Sequence, residues 1–146
     1  MSSTPPSAPS VPREFALTIA RTKPGLLLIG PWLDRISAVL ALDRRSDFAL
    51  RLCAEETASN LVQHGRVAAA PDDITLHLTA ARDHLRLIIE DRCTPFDPND
   101  APPAESGRLG RQGIHLMRRH AHSLDYTRDG SINRLTLTIA STDRLP

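Results

Sequence analysis

The sequence predicts an α+β domain, a two-layer sandwich in which a mostly antiparallel sheet of about five strands carries its helices on one face. Three observations lead to this fold class. Five short segments alternate apolar and polar residues, other segments repeat apolar residues with a helical period, and short turns join four of the strands into two hairpins. The order of elements is β-α-α-β-β-loop-α-β-β. Because strands joined by short turns pair antiparallel, the sheet is expected to be mostly antiparallel.

The first strand and the first helix come from the residues after an N-terminal leader. Residues 1–12 contain four of the twelve prolines and almost nothing to bury, so we expect a disordered leader and one domain over residues 13–146. Alternation over residues 13–20 predicts the first strand. A helix is expected over about 24–42, and the proline at position 31 either begins it or kinks it.

The second helix and the two strands after it have clear boundaries in the sequence. Ser46 is expected as the N-cap of a helix that runs to about His64, where Gly65 can end it. Alternating apolar residues at 74–78 and 85–89 predict two strands, joined by a short connection into a hairpin.

The C-terminal part of the domain is expected to be a short helix and a hairpin. The helix is predicted over about 112–121, after a loop rich in proline and glycine. Strands are predicted over 123–127 and 134–140. The pair Asp129-Gly130 is the expected turn between them, since Asp-Gly favours the tight turns of hairpins.

Charge and hydropathy exclude several classes of protein. A net charge of +1, from 18 Lys and Arg against 17 Asp and Glu, gives no field for non-specific binding to nucleic acid or to a membrane surface. Apolar stretches fall far short of the roughly 18 residues that cross a bilayer, and no signal peptide is visible. We therefore expect a cytoplasmic protein. Cys53 and Cys93 fit neither a disulfide framework nor a zinc site, so two free thiols are expected.

Two polar residues on the second helix could carry chemistry. Glu56 and Asn60 are four residues apart, which is about 400° of helical rotation and about 6 Å of rise, so their side chains share a face. A carboxylate and an amide carbonyl stacked in this way can approach a hydroxyl and a hydrated metal ion together. The alternative is an ordinary solvated helix face.

A second group of candidates follows the third strand. Asp91 ends a buried strand, where its carboxylate can accept a hydrogen bond from an amine in an adjoining pocket, although it could simply form a turn. Phe96 is one of five aromatic residues. Because burial of its apolar area is favourable, we expect its ring to pack beneath the floor of a pocket.

Glycines mark the third candidate segment. Gly107, Gly110 and Gly113 let the backbone approach a ligand closely, and the N-terminus of the helix that follows offers unpaired N–H groups to phosphate oxygens. The alternative is a flexible surface loop.

Taken together and in this order, these segments resemble the ATP site of the GHKL superfamily, which includes gyrase, heat-shock chaperones, histidine kinases and mismatch-repair ATPases. More narrowly, they resemble its serine-kinase branch, the bacterial anti-sigma factors of the RsbW type. FALRLCAEETASNLVQHG matches the family's N-box through Glu56 and Asn60, and IIEDRCTPFDP matches its Asp-x-Gly-x-Pro-Phe-Asp-Pro box. GRQGIHLMRRH resembles the lid-to-helix segment and DGSINRLTLT the closing strand. The resemblance covers about residues 14–140.

The resemblance implies a Bergerat-type fold and transfer of the ATP γ-phosphate to a Ser or Thr of a STAS-type anti-anti-sigma partner, together with binding of a sigma factor. It implies that Glu56 is catalytic, that Asn60 holds Mg²⁺ and that Asp91 reads the adenine amino group. Relatives of this branch also imply a homodimer. The other implied ATP-binding residues are Cys93, Phe96, Gly110 and Gly113, with Arg108, Arg111 and Gln112 as candidates for phosphate contacts in the lid.

One departure from the family pattern keeps a second interpretation open. Cys93 stands where the family has glycine, under the adenine pocket, and a side chain there can narrow the pocket. The alternative is therefore a nucleotide-binding anti-sigma or switch module that acts by protein binding only. The six histidines lack companions at metal-ligand spacing, so solvated or packing roles are expected for them.

Overall fold

Five strands form one antiparallel sheet in the order β1-β2-β3-β5-β4. The structure is a computed structural model that describes residues 13–67, 70–97 and 109–140. The expected leader over residues 1–12, Gly107 and Arg108 therefore lie outside the described residues. The strands are β1 (Arg13–Ala20), β2 (Asp73–Ala80), β3 (His84–Asp91), β4 (Ser123–Asp129) and β5 (Ile132–Ala140).

The described residues form four helices, which are α1 (Lys23–Leu26), α2 (Ile29–Leu40), α3 (Arg44–His64) and α4 (Leu109–His120). The core lies between the sheet and these helices. Every second residue of the central strands is buried, as Leu76, Leu87 and Leu137 show, and these side chains join one apolar cluster with Leu33 and Leu50 of the helices. The α+β fold with its antiparallel sheet, expected from the sequence, is confirmed.

The helix expected over 24–42 is divided into α1 and α2. Pro31 is the third residue of α2, where its missing N–H has no partner within the helix. The helix thus begins just before the proline rather than kinking at it. Gly25 of α1 packs against the end of β1, because a Cβ at this position would overlap the carbonyl oxygen of Ala20.

Helix α3 begins earlier than expected, and Ser46 is not its N-cap. The cap is Asp43, whose Oδ1 accepts the Ser46 N–H at 2.8 Å and whose Oδ2 accepts the Ser46 hydroxyl at 3.0 Å. The hydrogen bond from the Ser46 N–H lowers the pKa of Asp43. Ser46 therefore donates where it was expected to accept, because a carboxylate stands three residues ahead of it. Gly65 ends the helix as expected.

Both hairpins form, with small shifts in their boundaries. The β2–β3 connection is closed by a hydrogen bond from the Ala81 N–H to the His84 carbonyl oxygen at 2.9 Å. In the β4–β5 hairpin, Asp129 pairs with Ile132, so the turn consists of residues 130–131, one residue later than expected. Gly130 has φ of 60° and supplies the positive φ that the first central position requires.

Within the described ranges, no helix has both the length and the apolar character needed to cross a bilayer. Cys53 and Cys93 are free and buried, and burial raises the pKa of the Cys53 thiol to about 12. Two free thiols were expected from the sequence.

Candidate functional site

A cavity of about 730 Å³ opens between α3, α4 and the ends of β3 and β5. This volume lies within the range of ligand sites, roughly 300–1,000 Å³. Its walls are mostly apolar, with a few polar groups from separate elements. Its principal lining residues are Thr57, Asn60, Leu61, Ile89, Asp91, Cys93, Phe96, Ile114, Met117, Tyr126, Asn133 and Leu135.

Asp91 is the buried carboxylate of this cavity. It is the last residue of β3 and continues the inward alternation of Leu87 and Ile89, so that it is only 8% exposed. Its Oδ1 accepts the Cys93 N–H and the Asn133 side-chain amide, both at 2.9 Å. Among the described residues, no N–H group donates to Oδ2, and burial together with a hydrogen bond to the Asp91 carboxylate raises the pKa of the Cys93 thiol. A buried carboxylate with one oxygen left over is a suitable acceptor for a ligand amine.

Cys93 narrows the cavity without filling it. The residue is 2% exposed, and its sulfur lies against Gly65, where a Cβ would come within 2.8 Å of Sγ. Burial raises the pKa of the Cys93 thiol to about 11, so the side chain is a neutral, apolar wall at physiological pH. With this side chain in place, the cavity still has a volume of about 730 Å³.

Asn60 lines the cavity, and Glu56 lies one turn earlier on the same side of α3. Glu56 is partly buried where α3 meets α4. Its carboxylate lies against Gly113, because a Cβ at Gly113 would come within 3.0 Å of Glu56 Cδ and would overlap Oε2. The missing side chain at Gly113 thus leaves the space that this carboxylate occupies between α3 and α4. A second link between the two helices is the hydrogen bond from the Thr57 hydroxyl to Met117 Sδ at 3.3 Å.

The expected packing of Phe96 beneath the pocket floor is wrong. Phe96 lines the cavity, but it is 60% exposed. The chain leaves the sheet after Asp91, and the bridge between Val67 and Cys93 is the last strand-like pairing before it. No described element covers the ring at that point, so Phe96 forms part of the mouth of the cavity.

The lid candidates fall partly outside the described residues. Gly110, Arg111 and Gln112 belong to the first turn of α4, which begins three residues earlier than expected. Gly113, one residue further, is buried against Glu56. Arg108 is not among the described residues.

Arg21, which the sequence analysis missed, fastens the end of α3. Its guanidinium donates to the carbonyl oxygens of Leu61 and Gly65, both at 3.0 Å, and to Asp72 at 2.7 Å. The hydrogen bond with Asp72 raises the pKa of Arg21. The Leu61 carbonyl oxygen also accepts the Gly65 N–H, so Arg21 adds a second donor there, and a cation near the C-terminal end of a helix interacts favourably with its carbonyl groups. Arg21 thereby holds the helical turn that carries Asn60.

Asn133 is a second residue that the sequence analysis passed over. It is 4% exposed on β5 and points inward in the same alternation as Leu135 and Leu137. A polar residue at an inward position of an apolar strand is a signal that could have found it, because buried polar groups require partners. Asp91 is one of those partners.

The described residues contain no group of three or more His, Cys, Asp or Glu side chains placed to hold a metal ion. Asn60 presents a side-chain amide to the cavity, and Mg²⁺ commonly binds through one or two protein oxygens together with phosphates and waters.

Comparison with known proteins gives three findings that agree with this geometry. Residues 28–139 match the histidine kinase-like ATPase domain family. The chain is 35% identical over 113 residues to the serine/threonine-protein kinase BtrW of Bordetella bronchiseptica, a match that covers 73% of this chain and 80% of that protein. The structure of the RsbU and RsbW domains of Rv1364c from Mycobacterium tuberculosis matches with a TM-score of 0.61 at 15% identity.

The match to Rv1364c covers 92% of this chain, which spans only 34% of that longer chain, and at this identity it shows a shared fold. The family match and the identity to BtrW each extend over most of the chain. The chain therefore belongs to the histidine kinase-like ATPase domain family.

Proposed function

We propose that this protein is an ATP-dependent serine/threonine kinase of the anti-sigma type. It would transfer the γ-phosphate of ATP to a Ser or Thr of a STAS-type anti-anti-sigma partner and would bind a sigma factor. The supporting observation is the cavity that brings Asn60 and Asp91 together, with Glu56 one turn away on the same helix. The identity to a protein named as a serine/threonine kinase supports the reaction class.

Asp91 is the group that would read the base. Its position at the end of β3 places a buried carboxylate in the wall of the cavity. An exocyclic amine can donate to that carboxylate, and a hydrogen bond to a charged acceptor contributes about 1.5–3 kcal/mol. Cys93 would lie under the base and Phe96 at its edge, since both line the same cavity.

Asn60 and the start of α4 would hold the triphosphate end. Asn60 would supply an amide oxygen to Mg²⁺, which neutralises phosphate charge when it is bound. The first turn of α4, with Gly110, Arg111 and Gln112, would offer backbone N–H groups to phosphate oxygens. Arg108 stays a lid candidate outside the described residues.

Glu56 would act on the incoming hydroxyl. Phosphoryl transfer depends mainly on the positioning of the acceptor and on charge stabilisation. A carboxylate one helical turn from the metal-binding amide can orient a Ser or Thr hydroxyl and accept its proton late in the reaction. The contact with Gly113 limits the positions that this carboxylate can take.

The alternative is a nucleotide-binding switch module that binds partners without transferring phosphate. The observation that favours it is the side chain of Cys93 in the wall of the cavity. The two proposals differ in one result. Purified protein, Mg²⁺ and γ-labelled ATP are incubated with each STAS-domain protein encoded in the same genome. Labelling of a Ser or Thr in one of them supports the kinase, whereas nucleotide binding without labelling supports the switch module.

The proposal also includes a homodimer in the cytoplasm, by analogy with this branch of the family. Light scattering of the purified protein across a range of concentrations tests the oligomeric state. A mass of one chain at all concentrations would contradict that part of the proposal and leave the kinase proposal unaffected.

A further inference from the structure

The buried side chain of Asn133 links the β4–β5 hairpin to Asp91 by a hydrogen bond. The register places Asn133 opposite Asp91 on β3 and opposite Arg128 on β4. Three neighbouring strands therefore meet at one level of the sheet, at the edge of the cavity. We propose that Asn133 is a positioning residue for Asp91, which it holds so that one carboxylate oxygen is satisfied within the protein and the other accepts a ligand's exocyclic amine. This inference rests on the proposed function.

The Asn133 side chain uses all of its hydrogen-bonding capacity inside the protein. Its Nδ2 donates to Asp91 Oδ1 and to the Cys93 carbonyl oxygen, both at 2.9 Å. Its Oδ1 accepts the Tyr126 hydroxyl and the Arg128 guanidinium, the latter at 2.8 Å. An amide has two donors and two acceptor lone pairs, so nothing is left for a hydrogen bond with a ligand. The polar influence of Asn133 on a ligand therefore passes through the groups that it holds.

The orientation of the amide is determined by its surroundings. Two acceptors, the Asp91 carboxylate and the Cys93 carbonyl, lie on one side, and two donors, Tyr126 and Arg128, lie on the other. A flipped amide would direct its oxygen at a carboxylate and a carbonyl and its NH₂ at a hydroxyl and a guanidinium. Three of those four contacts would be repulsive or lost, and only the Tyr126 hydroxyl, which can also accept, could still pair with the NH₂, so the observed orientation is strongly favoured.

The same network determines how Asp91 presents its oxygens. Both hydrogen bonds on the carboxylate fall on Oδ1, one from the Cys93 N–H and one from Asn133. With Oδ1 doubly bonded, rotation of the carboxylate would break two hydrogen bonds. In the part of the chain that the structure describes, no N–H group donates to Oδ2. Oδ2 is thereby kept as an acceptor for an amine on the ligand.

This arrangement predicts a specific kind of selectivity. A purine with an amino group at the position facing Asp91 gains a charge-assisted hydrogen bond, and a purine with hydrogen there gains none. Loss of Asn133 leaves the carboxylate with one donor and free to rotate. The amine contact should weaken, while contacts with the rest of the nucleotide should stay. Loss of Asn133 should therefore lower the affinity for ATP and hardly change the affinity for an ATP analogue that lacks the amino group.

The test compares two ligands and four proteins by titration calorimetry. The ligands are ATP and purine riboside triphosphate, which lacks the 6-amino group, and the proteins are wild type, Asn133→Ala, Tyr126→Phe and Thr136→Ala. Thr136 lies on β5 three residues further along and is the matched control. For Asn133→Ala we expect ATP affinity to fall by about tenfold, since a positioned charge-assisted hydrogen bond is lost, with less than about a twofold change for the analogue. Thr136→Ala should leave the affinities for both ligands unchanged.

If the role of Asn133 is purely structural, Asn133→Ala should lower the affinities for ATP and for the analogue by the same factor. That result would overturn the inference, and so would affinities equal to those of the wild type. If Asn133→Ala does not fold, Tyr126→Phe carries the test, because it removes one donor that holds the amide. It should lower the ratio of ATP to analogue affinity by about two- to threefold, and an unchanged ratio would contradict the inference. A wild-type protein that binds neither nucleotide would instead contradict the proposed function itself.

Discussion

Gly113 lies directly against the carboxylate of Glu56, at a distance that leaves no room for a Cβ. A Cβ at this position would lie 3.0 Å from Glu56 Cδ and would overlap Oε2. The overlapping atom is the end of a flexible side chain, so the carboxylate can move aside while the helices stay packed. The glycine thus determines the position of the carboxylate more than the stability of the fold.

Replacement of Gly113 by alanine should therefore separate stability from activity. Alanine favours a helix interior over glycine by about 1 kcal/mol, so the melting temperature should stay the same or rise. Displacement of the Glu56 carboxylate should lower phosphoryl transfer by about tenfold or more with little change in ATP affinity. Thermal unfolding, calorimetry and the transfer assay provide the three readouts. Transfer at the wild-type rate would show that this contact does not position Glu56.

Asp91→Asn should weaken ATP binding by roughly ten- to a hundredfold. The substitution removes a charged acceptor whose hydrogen bond to an amine contributes about 1.5–3 kcal/mol. Titration calorimetry measures the effect, and Asp125→Asn on the exposed part of β4 is the matched control. Unchanged affinity in the Asp91 variant would remove the assignment of this residue to the base.

Arg21→Ala should destabilise the protein by roughly 1.5–3 kcal/mol. The variant removes hydrogen bonds from a cation to the carbonyls of Leu61 and Gly65 and an ion pair with Asp72. Urea denaturation of the variant and of Arg82→Ala, an exposed residue of the β2–β3 turn, measures the difference. We expect a change within about 0.5 kcal/mol for Arg82→Ala. Equal stability of the two variants would show that the hydrogen bonds of Arg21 do not stabilise the C-terminal end of α3.

The N-cap of α3 predicts a dependence of stability on pH. The Ser46 N–H lowers the pKa of Asp43 below its ordinary value of 3.8, so the ionised carboxylate stabilises the folded state above that value. This contribution is lost as the pH falls through the folded-state pKa. Asp43→Asn keeps an acceptor at the cap and removes the charge.

Wild type should therefore be more stable than Asp43→Asn near neutral pH, by about 0.3–1 kcal/mol. This difference in the free energy of unfolding should become smaller as the pH falls below about 4. Urea denaturation of both proteins at a series of pH values measures the difference. A gap that stays constant across the whole series would show that the charge of Asp43 does not contribute to stability.

Local sequence patterns predicted most of the fold. Alternation located all five strands, because each strand has one face on the core, as Leu76 and Leu87 illustrate. Helical spacing placed Glu56 and Asn60 on one side of α3, since four residues are close to one turn. The differences were the division of the helix expected over 24–42 into α1 and α2 and shifts at the ends of other elements. At Ser46 the capping group was an aspartate three residues earlier, and a serine can serve as donor or acceptor.

The polar network of the site could not be read from local pattern. Asn133 and Asp91 are 42 residues apart in sequence, and their contact depends on the register between β3 and β5. Arg21 likewise reaches the end of α3 from 40 residues away. Such contacts are fixed by the topology of the sheet, which single-sequence periodicity does not specify. The exposure of Phe96 differed from expectation for a related reason. The apolar character of a residue does not show whether another element covers its side chain.

The most direct test of the proposed kinase compares two neighbouring glutamates of α3. Glu56→Gln and Glu55→Gln are assayed for ATP affinity and for transfer of labelled phosphate to the STAS partner. Glu55 is exposed and one residue out of step with Asn60, so its variant should transfer phosphate like wild type. Glu56→Gln should bind ATP with normal affinity and lose transfer by at least about a hundredfold. Transfer retained by Glu56→Gln would contradict the account.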